Sequence, residues 1–198
     1  MATQQLGYNN PGNTGPLGIS NAAGIYTYYP NYTTALANAV SGDVIVQFAN
    51  ITEYNPVILN LVNNVNINPN GFTYETKSAS GYFYAANAIT CYIYNGTIVS
   101  NVGNALYLNN ASAKVYLNCT VLGSVEVDNG TLSGGVVNGS NHILLNGTMS
   151  DMKIIGTLRQ DNGTLTNVNL SGAYTMRGGT ISFSNYYATA FTLGNINA

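Results

Sequence analysis

Charge is the first thing this chain of 198 residues is short of. Seven acids, five bases and one histidine make up its ionisable set, and Asp, Glu, Lys and Arg together account for 6 % of the residues. That is about a quarter of the usual share. A net charge of -2 leaves little for a phosphate backbone or an anionic membrane surface to grip, so neither nucleic acid nor lipid is expected as a partner. Cysteine is nearly missing too. Cys91 and Cys119 have neither metal-ligand spacing nor the density of a disulfide scaffold, and read as small core or turn residues. No run approaches the ~18 consecutive apolar residues of a membrane span, so insertion is not expected. Met1 to Tyr8 carries no basic cluster ahead of an apolar run, so a secretory route is not expected either. With so few ionisable groups, no metal, no cofactor and no catalytic residue are assigned.

What is present is an ordinary hydrophobic fraction, 45 %, with polarity supplied by Asn, Thr, Ser, Gly and Tyr. This argues against disorder driven by charge repulsion and for one domain with a core. Residues 1–24, with Tyr8-Asn9-Asn10-Pro11-Gly12-Asn13 and Gly15-Pro16-Leu17-Gly18, have turn chemistry without a hydrophobic period and read as an extended arm ahead of a domain over 25–198. Tyr32 to Val40 reads as a short helix capped by a Thr, with Leu36 and Val40 on one face and Gly42 ending it; it would lid one end of the core. From Asp43 the signal is strand: Val44–Phe48, Val57–Leu59, Val65–Ile67, Tyr82–Tyr84 and Cys91–Tyr94 are β-rich runs set apart by Asn, Gly and Ser.

The last third is repetitive. Val125–Ser140, His142–Thr157, Leu158–Ala173 and Tyr174–Thr189 align as units of 16 residues, with Asn141 as a single insertion. Column five holds Asn129, Asn146, Asn162 and Gly178; column six Gly130, Gly147, Gly163 and Gly179; column seven Thr131, Thr148, Thr164 and Thr180. Column eight is apolar, with Leu132, Met149, Leu165 and Ile181, and column fifteen small, with Gly139, Gly156, Gly172 and Ala188. Units that bury their apolar residues only by stacking place equivalent residues about 4.8 Å apart, so like side chains meet. Stacked Asn at a corner can pass amide hydrogen bonds along, the neighbouring Gly can take a positive φ, and the apolar column fills the interior. Upstream, Phe83-Tyr84 and Asn95-Gly96-Thr97 recur as Leu106-Tyr107 and Asn118-Cys119-Thr120, a spacing of about 23 residues. The fold expected is all-β, a single-stranded parallel β-helix with a short N-terminal capping helix and coils that narrow to about 16 residues.

Ala35-Leu36-Ala37-Asn38-Ala39-Val40 with Gly42-Asp43-Val44-Ile45, followed by Val57-Ile58-Leu59 and Val65-Asn66-Ile67, resembles the opening of right-handed parallel β-helices of the pectin-lyase-like class. The likeness covers roughly residues 33–198 as a pattern. It implies right-handed winding, and it implies one of two kinds of function, because that class holds polysaccharide lyases and hydrolases as well as phage tailspikes and fibres. Of these, the chain is most like a viral or phage fibre, spike or minor capsid protein: a virion component, or in the alternative an extracellular one, with a host-surface or glycan-attachment role.

An enzyme on such a fold needs converging ionisable groups. The best cluster is Glu126, Asp128, Arg159, Asp161 and Arg177 in columns two and four. Asp128 and Asp161 would lie two coils apart, roughly 9.6 Å, near the upper limit for the carboxyl pair of an inverting glycosidase. The plainer reading is an exposed Asp161–Arg177 ion pair worth under about 1 kcal/mol. The lyases of the class use several acids for Ca²⁺ plus a basic residue, which this sparse surface does not offer. The expectation is therefore no enzyme, with a polysaccharide-degrading tailspike as an alternative. His142 shares column one with Val125, Leu158 and Tyr174 and reads as a satisfied core histidine.

More suggestive is a double row of hydroxyls flanking column eight: Thr131 and Ser133, Thr148 and Ser150, Thr164 and Thr166, Thr180 and Ser182. It resembles the ice-binding face of solenoid antifreeze proteins, and a sugar or other surface could use the same face. About ten Asn-x-Ser/Thr triplets occur, among them those at Asn95, Asn118, Asn129, Asn146 and Asn162; the repeat itself accounts for the excess. Tyr186, Tyr187 and Phe191 fall where a stacked fold must hide its last open strands, and point to assembly. The partners expected are two further copies of the chain in a homotrimer, other virion proteins through the N-terminal arm, and a surface glycan.

Overall fold

The structure, a computed structural model, describes residues 15–20, 24–59, 64–79, 83–187 and 189–194, without the side chains of Phe183 and Ser184. Within them the protein is all-β with one helix. The chain opens with β1 (Leu17–Ser20) and β2 (Tyr26–Tyr29), then α1 (Tyr32–Asn38), then β3 (Val44–Gln47), β4 (Ile51–Glu53) and β5 (Val57–Ile58). A second set follows: β6 (Asn66–Asn68), β7 (Thr73–Thr76) and β8 (Phe83–Ala85). From Thr90 to Asn138 the chain is strand-paired throughout (β9), and it ends in β10 (His142–Leu144), β11 (Thr148–Ser150), β12 (Lys153–Ile155), β13 (Leu158–Gln160), β14 (Thr164–Ser171), β15 (Ala173–Met176), β16 (Thr180–Tyr186) and β17 (Ala190–Leu193).

From β3 onward every strand-to-strand pairing among these elements is parallel. The upstream offsets are wide, 22 residues from Val44 to Asn66 and 23 from Ile51 to Tyr74. Downstream they tighten to 17 from Leu132 to Met149 and 16 from Met149 to Leu165. Thr131, Thr148, Thr164 and Thr180 pair in sequence, as do Ser133, Ser150, Thr166 and Ser182, so the aligned columns are hydrogen-bonded neighbours. Alternation fixes this register: Leu132, Met149 and Leu165 are wholly buried between outward-facing neighbours, and a slip of one residue would turn that column to solvent.

The interior is one apolar column from Leu17 to Tyr174. Its wide end is aromatic, Tyr32 packing on Tyr74 at 4.7 Å between ring centroids and edge-on to Phe83 at 5.7 Å. Its narrow end is aliphatic. At roughly 1.5–3 kcal/mol per fully buried large side chain, this column is the main favourable term. Two glutamines lie inside it. Gln47 Nε2 donates to Ala49 O (2.6 Å) and to Thr73 O (2.8 Å), while its Oε1 accepts from Tyr32. Gln160 does the same with Gly163 O, Thr180 O and Tyr174. Each amide thereby ties one repeat to the next, as a buried polar group must.

Several expectations need correcting. The helix is capped by Asn31, whose Oδ1 accepts from Thr34 N at 2.8 Å, and not by a Thr. It ends at Asn38; Val40 is 66 % exposed while Tyr32, Ala35 and Leu36 are buried. The arm expected over 1–24 does not hold at Leu17–Ser20, which forms β1 and pairs antiparallel with both β2 and β3, with Leu17 fully buried. Leu17 and Ile19 supply an alternation too short to stand out beside so much turn chemistry. Residues 1–14 and 21–23, and Tyr82 and Ala188 of the strand and repeat readings, lie outside the described residues. Gly147 lacks the positive φ that Gly130, Gly163 and Gly179 adopt. Its want of a side chain answers to crowding: a Cβ there would meet Val127 Cγ1 at 2.5 Å and Gly130 O at 2.6 Å. No helix among the described residues is long and apolar enough to cross a membrane.

Candidate functional site

The hydroxyl ladder lies where alternation put it. Thr131, Ser133, Thr148, Ser150 and Thr164 are half-buried, and Thr166, Thr180 and Ser182 are exposed. Ser150 Oγ donates to Ser133 Oγ at 3.0 Å, so part of one row bonds within itself. Gly130 closes on Ala113 and Gly134 on Leu117, each so tightly that a Cβ would fall within 3 Å of a carbonyl oxygen. Thr131–Ser133 is thereby bracketed over Lys114–Tyr116, and the ladder runs upstream into tyrosine. Tyr92 and Tyr116 stack there at 4.8 Å and 17°. A hollow of about 340 Å³ opens beside them, lined by Asn66, Tyr92, Tyr94, Tyr116 and Asn118 over Ile93 and Leu117.

A second side face carries the ionisable groups. Tyr84 stacks on Tyr107 at 5.1 Å and 7°, and Tyr107 donates its hydroxyl proton to Asp128 Oδ2 at 2.6 Å. Asn104 Nδ2 donates to Glu126 Oε2 at 2.5 Å. Burial, reinforced by Asp128, raises the Glu126 carboxyl above its ordinary range against the opposing pull of Asn104. Burial and the bond to Asp128 raise Tyr107. Further along, Asp161 stands between Arg159 (3.1 Å) and Arg177 (3.3 Å), an ion triad and not the single pair expected. Leu145 lies between Asp128 and Asp161, since Asn146 N donates to Asp128 O and Asp161 N to Leu144 O. The two carboxylates therefore have separate partners and an apolar residue between them, a poor basis for paired acid–base chemistry. Beside Asn104 a shallow groove of about 580 Å³ runs past Ser100, Asn101, Ser124 and Asn138.

His142 is fully buried, its Nδ1 accepting from Val125 N (3.3 Å) and its Nε2 bonded to Ile155 O (3.0 Å). Burial lowers its pKa, so the neutral ring is the one the fold holds. Cys91 and Cys119 are free thiols, pushed up to about 12 by burial. Among the described residues no group of three His, Cys, Asp or Glu could hold a metal ion.

At the last repeat Tyr186 is 40 %, Tyr187 71 %, Phe191 50 % and Leu193 59 % exposed. Phe191 packs on Tyr174 at 5.5 Å and edge-on to Tyr186 at 6.4 Å. The three assembly residues thus form one apolar end surface. Sequence reasoning missed the tyrosine stacks and the hollow. The signal was the recurrence of Tyr84 at Tyr107 and of Tyr92 at Tyr116, close to the wide repeat spacing.

No protein-family model matches the chain, no curated protein matches its sequence and no solved structure matches its fold.

Proposed function

We propose that the chain is a parallel β-helix, wound right-handedly as in the class it resembles, and that it is the rigid shaft of a virion fibre, spike or minor capsid protein. It stands as a homotrimer, docks on other virion proteins through residues 1–24 and meets host-surface glycan along its sides. The observation that carries this reading is the inequality of the two ends. The helix α1 buries Tyr32, Ala35 and Leu36 over the first strands, whereas Tyr186, Tyr187, Phe191 and Leu193 face solvent on the last. Exposed strand edges with a contiguous apolar surface call for a partner, and rotation of identical copies about one axis supplies it with closed symmetry. The sides, poor in charge and rich in amide and hydroxyl groups, suit contact with glycans. The acids have partners within the chain, so the reading includes no catalysis.

Light scattering on the purified chain tests it. A mass of about three times 20.9 kDa, falling to the monomer in Tyr187→Asp/Phe191→Asp, is the expected outcome. A wild-type monomer would overturn the assembly and with it the shaft. The registered Thr column favours a second reading, an ice- or carbohydrate-binding module. It predicts thermal hysteresis in the wild type that Thr148→Tyr/Thr164→Tyr abolishes.

A further inference from the structure

The hollow above Ile93 and Leu117 has the makings of a ligand site. Tyr92 and Tyr94 flank Ile93, and Tyr116 and Asn118 flank Leu117, so alternation raises side chains on both sides of an apolar floor. Lys114 N donates to Ile89 O at 2.8 Å, which aligns the two rows and sets Tyr116 beside Tyr92. Asn66 Oδ1 accepts from Tyr92 N at 3.2 Å and steadies the base of that wall. Tyr92 covers one face of the Tyr116 ring. On the other side the next residue in the row is Ser133, too small to cover a ring, so the outer Tyr116 face stands open at the head of the hydroxyl row.

We propose that this hollow is a binding subsite for one pyranose of a neutral oligosaccharide, with the rest of the sugar chain lying along Ser133, Ser150 and Thr166. The inference rests on the glycan-attachment reading above and names its site and ligand class. A pyranose offers an apolar C–H face and a rim of hydroxyls. The open Tyr116 face accepts the first, while the Asn118 amide, the Tyr92 and Tyr94 phenols and the serine hydroxyls hydrogen-bond the second. Neutrality follows from the lining, in which no side chain is charged. An anionic sugar would give up hydration there without a cation to replace it.

A printed array of neutral and acidic oligosaccharides, read with the intact chain and followed by titration of the best binder, decides this. Binding restricted to neutral glycans is expected, with Tyr116→Ala weakening it about tenfold, the strength of one good aromatic contact, and Tyr116→Phe leaving most of it. Tyr116 is half-buried on the outside of the fold, and an unchanged native mass in both variants shows that assembly is intact. A silent array, binding confined to acidic glycans, or full affinity in Tyr116→Ala would each overturn the subsite. None of these would touch the shaft reading, which stands or falls on the mass of the wild type. Loss in Thr148→Tyr/Thr164→Tyr with full affinity in Tyr116→Ala would move glycan binding to the ladder alone.

Discussion

The two halves of the sheet solve one packing problem with different materials. In the wide repeats, which advance 22 to 26 residues from row to row, the interior is broad and filled by rings, Tyr32, Tyr74 and Phe83. In the narrow repeats, which advance 16 or 17, it is filled by single aliphatic side chains, and successive backbones touch at the corners. Width costs regularity: residues 60–63 and 80–82, outside the description, both interrupt the wide repeats. Narrowness costs tolerance, because a corner without room for a Cβ admits only glycine.

Gly156 should break the narrow half outright. Its φ is 117°, and a Cβ would lie 1.7 Å from Gly139 O, with Gly172 crowding Gly156 in the same way one repeat on. Backbone cannot step aside as a flexible side chain can, so Gly156→Ala should cost about 4 kcal/mol or more. The wide half supplies the control. Gly71 also has a positive φ, 84°, but its Cβ would meet nothing within 4 Å. Gly71→Ala should cost about 1 kcal/mol, from backbone strain alone. Urea unfolding of the two variants separates collision from strain; equal losses would mean that the narrow corners are not closed.

The interiors can be compared in the same way. Phe83 is 1 % exposed and touches the rings of Tyr32 and Tyr74. Phe83→Ala should cost about 4 kcal/mol and Leu165→Ala about 3 kcal/mol. Leu165→Met, which copies Met149 one repeat earlier, should cost under about 1 kcal/mol. A Phe83→Ala loss below that of Leu165→Ala would show that the wide interior relaxes around a cavity.

The narrow half was legible in the sequence because its columns repeat, and each column has a single physical cause that acts on every copy. Asn162 and Asn146 share a bond because both sit at one corner, and the sequence displays the pair as a column. The wide half was legible only in outline. Ile51–Glu53 and Thr73–Thr76 are strands that composition hides, with three or four residues each and one or two apolar. Gln47 and Gln160 read as surface residues and are buried, since a long amide can serve two carbonyls and a phenol inside the fold. The ladder was found because alternation predicts outward columns. The hollow was missed because it depends on Tyr116 meeting Ser133 across two repeats of different length, which no single period reveals.

The pH dependence differs between the regions as well. His142, in the narrow half, has a folded pKa below its ordinary 6.5, so its contribution to stability is complete above that value and is lost as pH falls toward the folded pKa. In that window the unfolded chain takes up a proton that the fold refuses, giving a slope of up to about 1.4 kcal/mol per pH unit. Glu126 acts with opposite sign. Its folded pKa lies above the ordinary 4.5, so the fold loses stability as pH rises from there through the raised value. Urea midpoints of His142→Gln should flatten the acid limb below pH 6.5, and those of Glu126→Gln the gentler limb above 4.5. A wild-type acid limb that survives in His142→Gln would place the responsible group elsewhere.

The smallest effect tests whether the ladders of the narrow half support the fold or merely decorate it. Asn162 Nδ2 donates to Asn146 Oδ1 at 3.2 Å, and Asn185 Nδ2 donates to Asn169 Oδ1 at 2.9 Å, both at the surface. Water competes for such bonds, so each should add about 0.5 kcal/mol, the low end for a hydrogen bond within a protein. Asn162→Ser keeps a polar group but cannot reach the next amide. It should therefore lower stability by about that amount, and Asn162→Ser/Asn185→Ser by the sum, since the two corners share no partner. A loss well above the sum would mean that the amides act cooperatively along the columns, and that the narrow half draws from repetition a stability the irregular wide half cannot reach.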